Sequence, residues 1–193
     1  MNELVEFNNS LVKEVAAEAS ASGISQSDTF FERMAALLEA EGEIATADRV
    51  TFLASSQGKT VRLDGIGGDP RESEGILSVI VSDFHDGDAA VKINASDAKK
   101  AFGHLINFVA AARRAAFRED LIEGSAEAGA ASIITSAWSS ITKIKLILMT
   151  NATYSARTDA VLAGKIDGIP VTYNIWDLTR FHRYETSGHA REK

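Results

Sequence analysis

Val61–Phe84, VRLDGIGGDPRESEGILSVIVSDF, is the stretch from which the rest of the chain can be read. Thr60–Gly65 alternates, with Val61 and Leu63 on one side and Arg62 and Asp64 on the other, which predicts a strand with one buried face. Gly75–Phe84 predicts a second strand, and its apolar run of Ile76, Leu77, Val79, Ile80 and Val81 is dense enough for burial on both faces. Just upstream, Arg49–Ser55 (RVTFLAS) has β-branched and aromatic residues at strand density, and Ser56-Gln57-Gly58-Lys59 is turn chemistry. Three consecutive strands with short connections predict an antiparallel meander.

This meander places Asp64 near the end of one strand and Asp83 at the end of the next. Two carboxylates on neighbouring strand ends are an arrangement with which metal-dependent nucleases hold Mg²⁺. Such a site also needs an acid-x-lysine unit, and here the same-face pair is Val81 and Asp83, with no lysine. Asp64 and Asp83 are therefore the candidate metal ligands and candidate catalytic acids. The bland readings are a strand-end Asp64 accepting turn amides and a solvated Asp83. A second register uses Asp83-Phe84-His85, with the His85 imidazole in place of the lysine, although Asp86-Gly87 suggests a turn there. A migrated lysine is a third route. Lys143 and Lys145 share one face of a later strand, and a cation there would stabilise phosphorane-like charge. The competing reading is a pair of edge-strand lysines that block aggregation.

The rest of the chain surrounds these strands with helices. Leu4, Phe7, Leu11 and Val15 form one face of a helix over Asn2–Ala21 that ends at Ser22-Gly23. A second helix begins near Ser27-Asp28, carries Phe30, Phe31, Met34, Leu37 and Leu38, and stops at Gly42. Ser96-Asp97 is expected to cap a long helix running to about Glu123, and Ala126–Trp138 is an Ala-rich helix. Arg113, Arg114 and Arg118 read as a solvated cluster near the end of the long helix. Ile141–Thr150 and Ile169–Trp176 are strands, separated by a turn-rich or short helical segment around Asn151–Gly164. Asp177 caps a last helix, Leu178–Thr186, ending at Ser187-Gly188. A meander, a helical crossover and further strands give an α/β domain: a mixed β-sheet flanked by helices, with an N-terminal helical hairpin. That order matches the restriction-endonuclease-like fold.

Several functional classes are disfavoured. Gly65-Ile66-Gly67-Gly68 is not followed by a helix or by Gly-Lys-Ser/Thr, so its glycines are expected to permit positive φ in a tight connection. Asp69, Glu72 and Glu74 lack calcium-loop spacing. His104, His182 and His189 are too dispersed for a zinc site, and the chain has no cysteine. A net charge of −7 argues against a strong nucleic-acid grip by the chain as a whole. No apolar run approaches a membrane span, and the N-terminus MNELVEFNNSLVKEV is acidic where a signal peptide is basic. A cytoplasmic protein without a membrane partner is expected.

The pattern also resembles the N-terminal region of the abortive infection phage resistance (AIPR) family. The resemblance rests on FFERMAALLEAEGEI at Phe30–Ile44, Val61–Phe84, KIKLILMTNA at Lys143–Ala152 and DGIPVTYNIWDLTRFHR at Asp167–Arg183. It implies an antiphage role and a nuclease-like region preceding a longer remainder. Residues 1–193 then read as one restriction-endonuclease-like α/β domain, and the resemblance leaves open that it is the N-terminal domain of a longer protein. The family motif pairs an Asp-bearing strand with a strand ending in Gln-x-Lys. Asp64 matches the first part, while Val81 and Asp83 stand at the glutamine and lysine positions. The expectation is a catalytically degenerate scaffold or recognition module that uses no cofactor and acts with a protein partner or with the remainder of a longer chain. The rivals are an active Mg²⁺-dependent nuclease on DNA or RNA using Asp64, Asp83, His85 or Lys145, and a homo-oligomerisation domain.

Overall fold

The computed structural model describes residues 2–87, 91–155 and 164–191. Two helices come first. α1 (Glu3–Ser22) is capped by the Asn2 side chain, which accepts the Leu4 N–H, and stops at Gly23 in the left-handed region. α2 (Gln26–Ala40) is capped by Ser25, whose hydroxyl accepts the Asp28 N–H, so it starts slightly earlier than Ser27-Asp28.

β1 (Asp48–Ser56), β2 (Lys59–Ile66) and β3 (Ile76–Asp83) follow as the expected antiparallel meander. A two-residue strand, β4 (Lys92–Ile93), leads into α3 (Ala95–Ala112), α4 (Ala115–Asp120) and α5 (Ala126–Ser136). Then come β5 (Lys143–Thr150), β6 (Thr153–Tyr154), β7 (Gly164–Ile166), β8 (Ile169–Trp176) and α6 (Leu178–Arg191). The main sheet has the order β1-β2-β3-β5-β8-β7, with β3, β5 and β8 parallel to one another and both flanks antiparallel. β4 and β6 form a small parallel pair beside it. The fold is thus a mixed sheet flanked by helices, with a helical pair at the N-terminus. Among the described residues no helix is long and apolar enough to cross a membrane.

Alternation along the central strands divides the core in two. Leu77, Val79 and Val81 of β3 and Ile144, Leu146 and Leu148 of β5 face the layer of α3 and α5. Ile80, Ile147 and Met149 face the opposite layer, with Phe30, Met34 and Leu38 of α2, Leu11 and Val15 of α1, and Phe181 of α6. β3 is therefore buried on both faces, as its apolar run predicts.

Four local expectations need correction. The long helix to Glu123 is two helices. α3 opens on a capping box between Asn94 and Asp97, not at Ser96. It ends at Ala112, whose carbonyl accepts hydrogen bonds from Arg118 (2.9 Å) and the Thr135 hydroxyl (2.8 Å). The arginines around this break are not a solvated patch: Arg113 pairs with Asp167 and stacks over Trp138, and Arg114 donates to the Ser56 hydroxyl. α6 continues past Ser187-Gly188 to Arg191. Of the glycines in Gly65–Gly68, Gly68 has the expected positive φ, but Gly65 serves another purpose. A Cβ on Gly65 would stand 2.3 Å from the Phe31 ring, so this position is empty because α2 presses on β2 there. The segment expected to be turn-rich before Gly164, the residue that follows the Asp86-Gly87 turn and the side chain of His189 lie partly or wholly outside the described residues.

Candidate functional site

β2 and β3 pair in register at Gly65 with Ile80 and Ile66 with Val79, and the Gly67 N–H carries the ladder on to the Ser78 carbonyl at 2.8 Å. Further toward the end of β3, side chains take over the ladder. The Ser82 N–H donates to Asp64 Oδ2 at 2.8 Å, and Arg62 Nη2 donates to the Ser82 carbonyl at 2.6 Å. Arg62 and Asp64 share a strand face because they are two residues apart, and their side chains form an ion pair at 2.8 Å. The Asp64 side chain is only 14% exposed. Burial pushes its carboxyl above the usual carboxylate range; Arg62 and the Ser82 amide pull it back in part, and the nearby charge of Asp83 pushes it up again.

Asp83 is more open, 43% exposed, and its Oδ2 lies 3.1 Å from His85 Nε2. His85 sits in the loop beyond β3, with its backbone clamped by Asn151 just past the end of β5. The His85 N–H donates to Asn151 Oδ1 at 2.8 Å, and Asn151 Nδ2 donates to the His85 carbonyl at 2.7 Å and to Asn8 Oδ1 of α1 at 3.0 Å. Asn8 and Asn151 are both buried. Asp64, Asp83 and His85 are thus gathered at the carboxyl end of β3, where α/β sheets commonly present their ligand sites. A cleft of about 400 Å³ opens beside them, walled by Ser27, Asp28 and Phe31 of α2 and Thr51–Leu53 of β1.

Lys145 is elsewhere. It pairs in register with Ser78, whereas Asp83 pairs with Thr150, five positions further on. At roughly 3.3 Å per residue this is about 16 Å away. Its ammonium donates to the Glu43 carbonyl at 2.6 Å and to the Glu43 carboxylate at 2.8 Å. Its strand lies between β3 and β8, so the edge-lysine reading of Lys143 and Lys145 also lapses. Arg62 and Asn151 are the site residues that sequence reasoning passed over. The signal for Arg62 was its shared face with Asp64; the role of Asn151 depends on α1 and the β3 loop meeting at the end of β5.

As a magnesium site the arrangement fits poorly. Mg²⁺ wants near-octahedral oxygen donors, including a carboxylate free to bind it. Here Asp64 Oδ2 already takes a guanidinium and an amide, so Arg62 stands as the counter-charge. Among the described residues, no three His, Asp or Glu side chains converge to hold a metal ion.

A family model described as the abortive infection phage resistance protein N-terminal domain matches residues 30–183. The chain belongs to this family. No curated protein and no solved structure matches the chain. The family match runs from α2 into α6 and contains the whole Asp64–Asp83–His85 group, whereas α1, which supplies Asn8, lies before it. Membership ties the chain to phage resistance by abortive infection.

Proposed function

We propose that this chain is a recognition or scaffold module of an abortive-infection phage resistance protein, built on a restriction-endonuclease-like frame that no longer cleaves. The observation carrying this reading is the Arg62 guanidinium on Asp64, 2.8 Å from the oxygen that also accepts the Ser82 amide. A cationic side chain there competes with a metal ion for the carboxylate. The position where a cleaving relative would carry lysine is Asp83, and Lys145 is committed to Glu43. The fold part of the proposal is supported by the meander, the helical crossover and the parallel β3-β5-β8 core.

One observation favours the rival reading of a metal-dependent nuclease: Asp64 and Asp83 line one open cleft at a single sheet end, and His85 lies against Asp83. The two readings separate in one experiment. Mn²⁺ is titrated calorimetrically into the purified chain, and DNA and RNA cleavage is assayed in Mg²⁺ and Mn²⁺ for wild type and Asp64→Asn. The module reading expects no metal uptake and no cleavage by either protein. Cleavage by wild type that Asp64→Asn abolishes would establish the nuclease instead.

A further inference from the structure

Arg62 also borders a second cleft, of about 250 Å³, on the α3 side of the sheet. Its floor is apolar, with Val81, Leu148 and Ile93. Lys100 and His104 enter it from α3, four residues apart and so on one helix face. Among the described residues, neither has a hydrogen-bond or ion-pair partner. Two acids, Asp83 and Asp97, also border the cleft; each has a polar neighbour that fixes the carboxylate without removing its charge. Asp83 lies 3.1 Å from the His85 ring, and Asp97 accepts the Asn94 N–H of the α3 capping box at 3.0 Å. The His104 imidazole is held below its ordinary value of 6.5 by burial first, then by the charges of Arg62 and Lys100. Cationic groups that crowd each other in this way gain most from an anion placed between them.

We propose that this cleft holds a single phosphate group on Lys100 and His104, without a metal ion, with Arg62, whose Nη2 stays on Asp64 and the Ser82 carbonyl, lending only its remaining donors, and that the phosphate belongs to a nucleic-acid backbone. The inference deepens the recognition reading and rests on it, since it names what the module grips. Size supports one phosphate rather than an enclosed nucleotide. The cleft is smaller than the roughly 300–1,000 Å³ that buries a whole small ligand, so sugar and base would lie outside. Phosphate recognition by a local basic cluster also reconciles binding with the overall charge of −7, because only the contacted phosphates matter for affinity.

The test follows the His104 ring signals by NMR in the full chain, in EDTA and at low salt. The probes are inorganic phosphate and single-stranded DNA and RNA of about twelve nucleotides. The expected result is a shift of the His104 signals with each probe, a rise in its pKa on binding, and tighter binding of an oligonucleotide than of phosphate. Lys100→Ala should weaken binding about tenfold, the scale of one charge-assisted contact, and His104→Gln should remove the pH dependence of binding. Lys100 is exposed, so its loss spares the fold. Phosphate moving His104 while neither oligonucleotide does would overturn the nucleic-acid source and leave a free phosphate or phosphomonoester. Silence from His104 with all probes, or equal affinity for wild type and Lys100→Ala, would overturn the site itself. EDTA suppresses any metal-dependent cutting, so this outcome is independent of whether the chain proves to be a nuclease.

Discussion

At the scale of single residues, Asp64 is the group whose protonation matters most. Its carboxyl is raised above the ordinary 3.8 because burial outweighs the help from Arg62 and the Ser82 N–H. A carboxyl raised in the folded state holds its proton more tightly there than in the unfolded chain. Its contribution to stability is therefore full below 3.8 and is lost as pH rises through the folded value. Urea denaturation of wild type and Asp64→Asn between about pH 7 and pH 4 should show wild type gaining on the variant as the pH falls. A constant difference would mean that the ion pair with Arg62 balances burial, and a gain in the other direction that it outweighs burial. The same geometry explains why Asp64 was only half legible in the sequence. Its position at the end of β2 could be read from alternation. Its partner could not, because the Ser82 amide lies eighteen residues away across a junction whose backbone ladder had already ended.

At the scale of elements, the contact between α2 and β2 is set by a missing side chain. Phe31 fills the space over Gly65, so any Cβ there collides with its ring. Gly65→Ala should cost about 1–3 kcal/mol, the usual penalty for overpacking a filled site. Phe31→Leu in the same chain should recover part of that loss. A double-mutant cycle by chemical denaturation measures the recovery, and strict additivity of the two changes would contradict the account. The glycine run was legible as special, but the reason at Gly65 was not. A turn needing positive φ and a helix needing close approach leave the same mark in a sequence. Likewise, the helical pattern after Asn94 ran on through Arg113 and Arg114 because the break depends on Arg118 and Thr135 reaching the Ala112 carbonyl.

At the scale of the molecule, the sheet separates two apolar layers, and α1 helps to close one of them. Leu11 and Val15 are 3% and 0% exposed, and Asn8 of the same helix completes the Asn151 clamp. Burying each such aliphatic side chain stabilises by roughly 1.5–3 kcal/mol, so removing the helix forfeits several kcal/mol. Deletion of residues 2–22 should abolish cooperative unfolding and speed amide exchange at His85, read by hydrogen exchange. A truncated chain with native protection there would show that the fold and the Asn151–His85 clamp hold without α1. The architecture was largely legible: helical pair, meander, crossover and final strands all follow from periodicity and turn residues. The short strands β4, β6 and β7 were not, because two or three residues carry no period. The candidate site was legible as a neighbourhood of Asp64, Asp83 and His85. Placing Lys145 there failed because register along parallel strands, which puts it beside Ser78, is not written in its local sequence.

One edge strand of the sheet, β1, carries one more feature of that kind. Thr51 has φ 55, and the pairing with β2 skips between Arg49 and Phe52. A left-handed threonine costs of order 1–3 kcal/mol, so the rest of the strand must hold it in place. A straight, flat border of unpaired amides invites a second copy to zip on, and a kink in the border spoils the match. The irregularity between Arg49 and Phe52 therefore works against edge-to-edge pairing along β1.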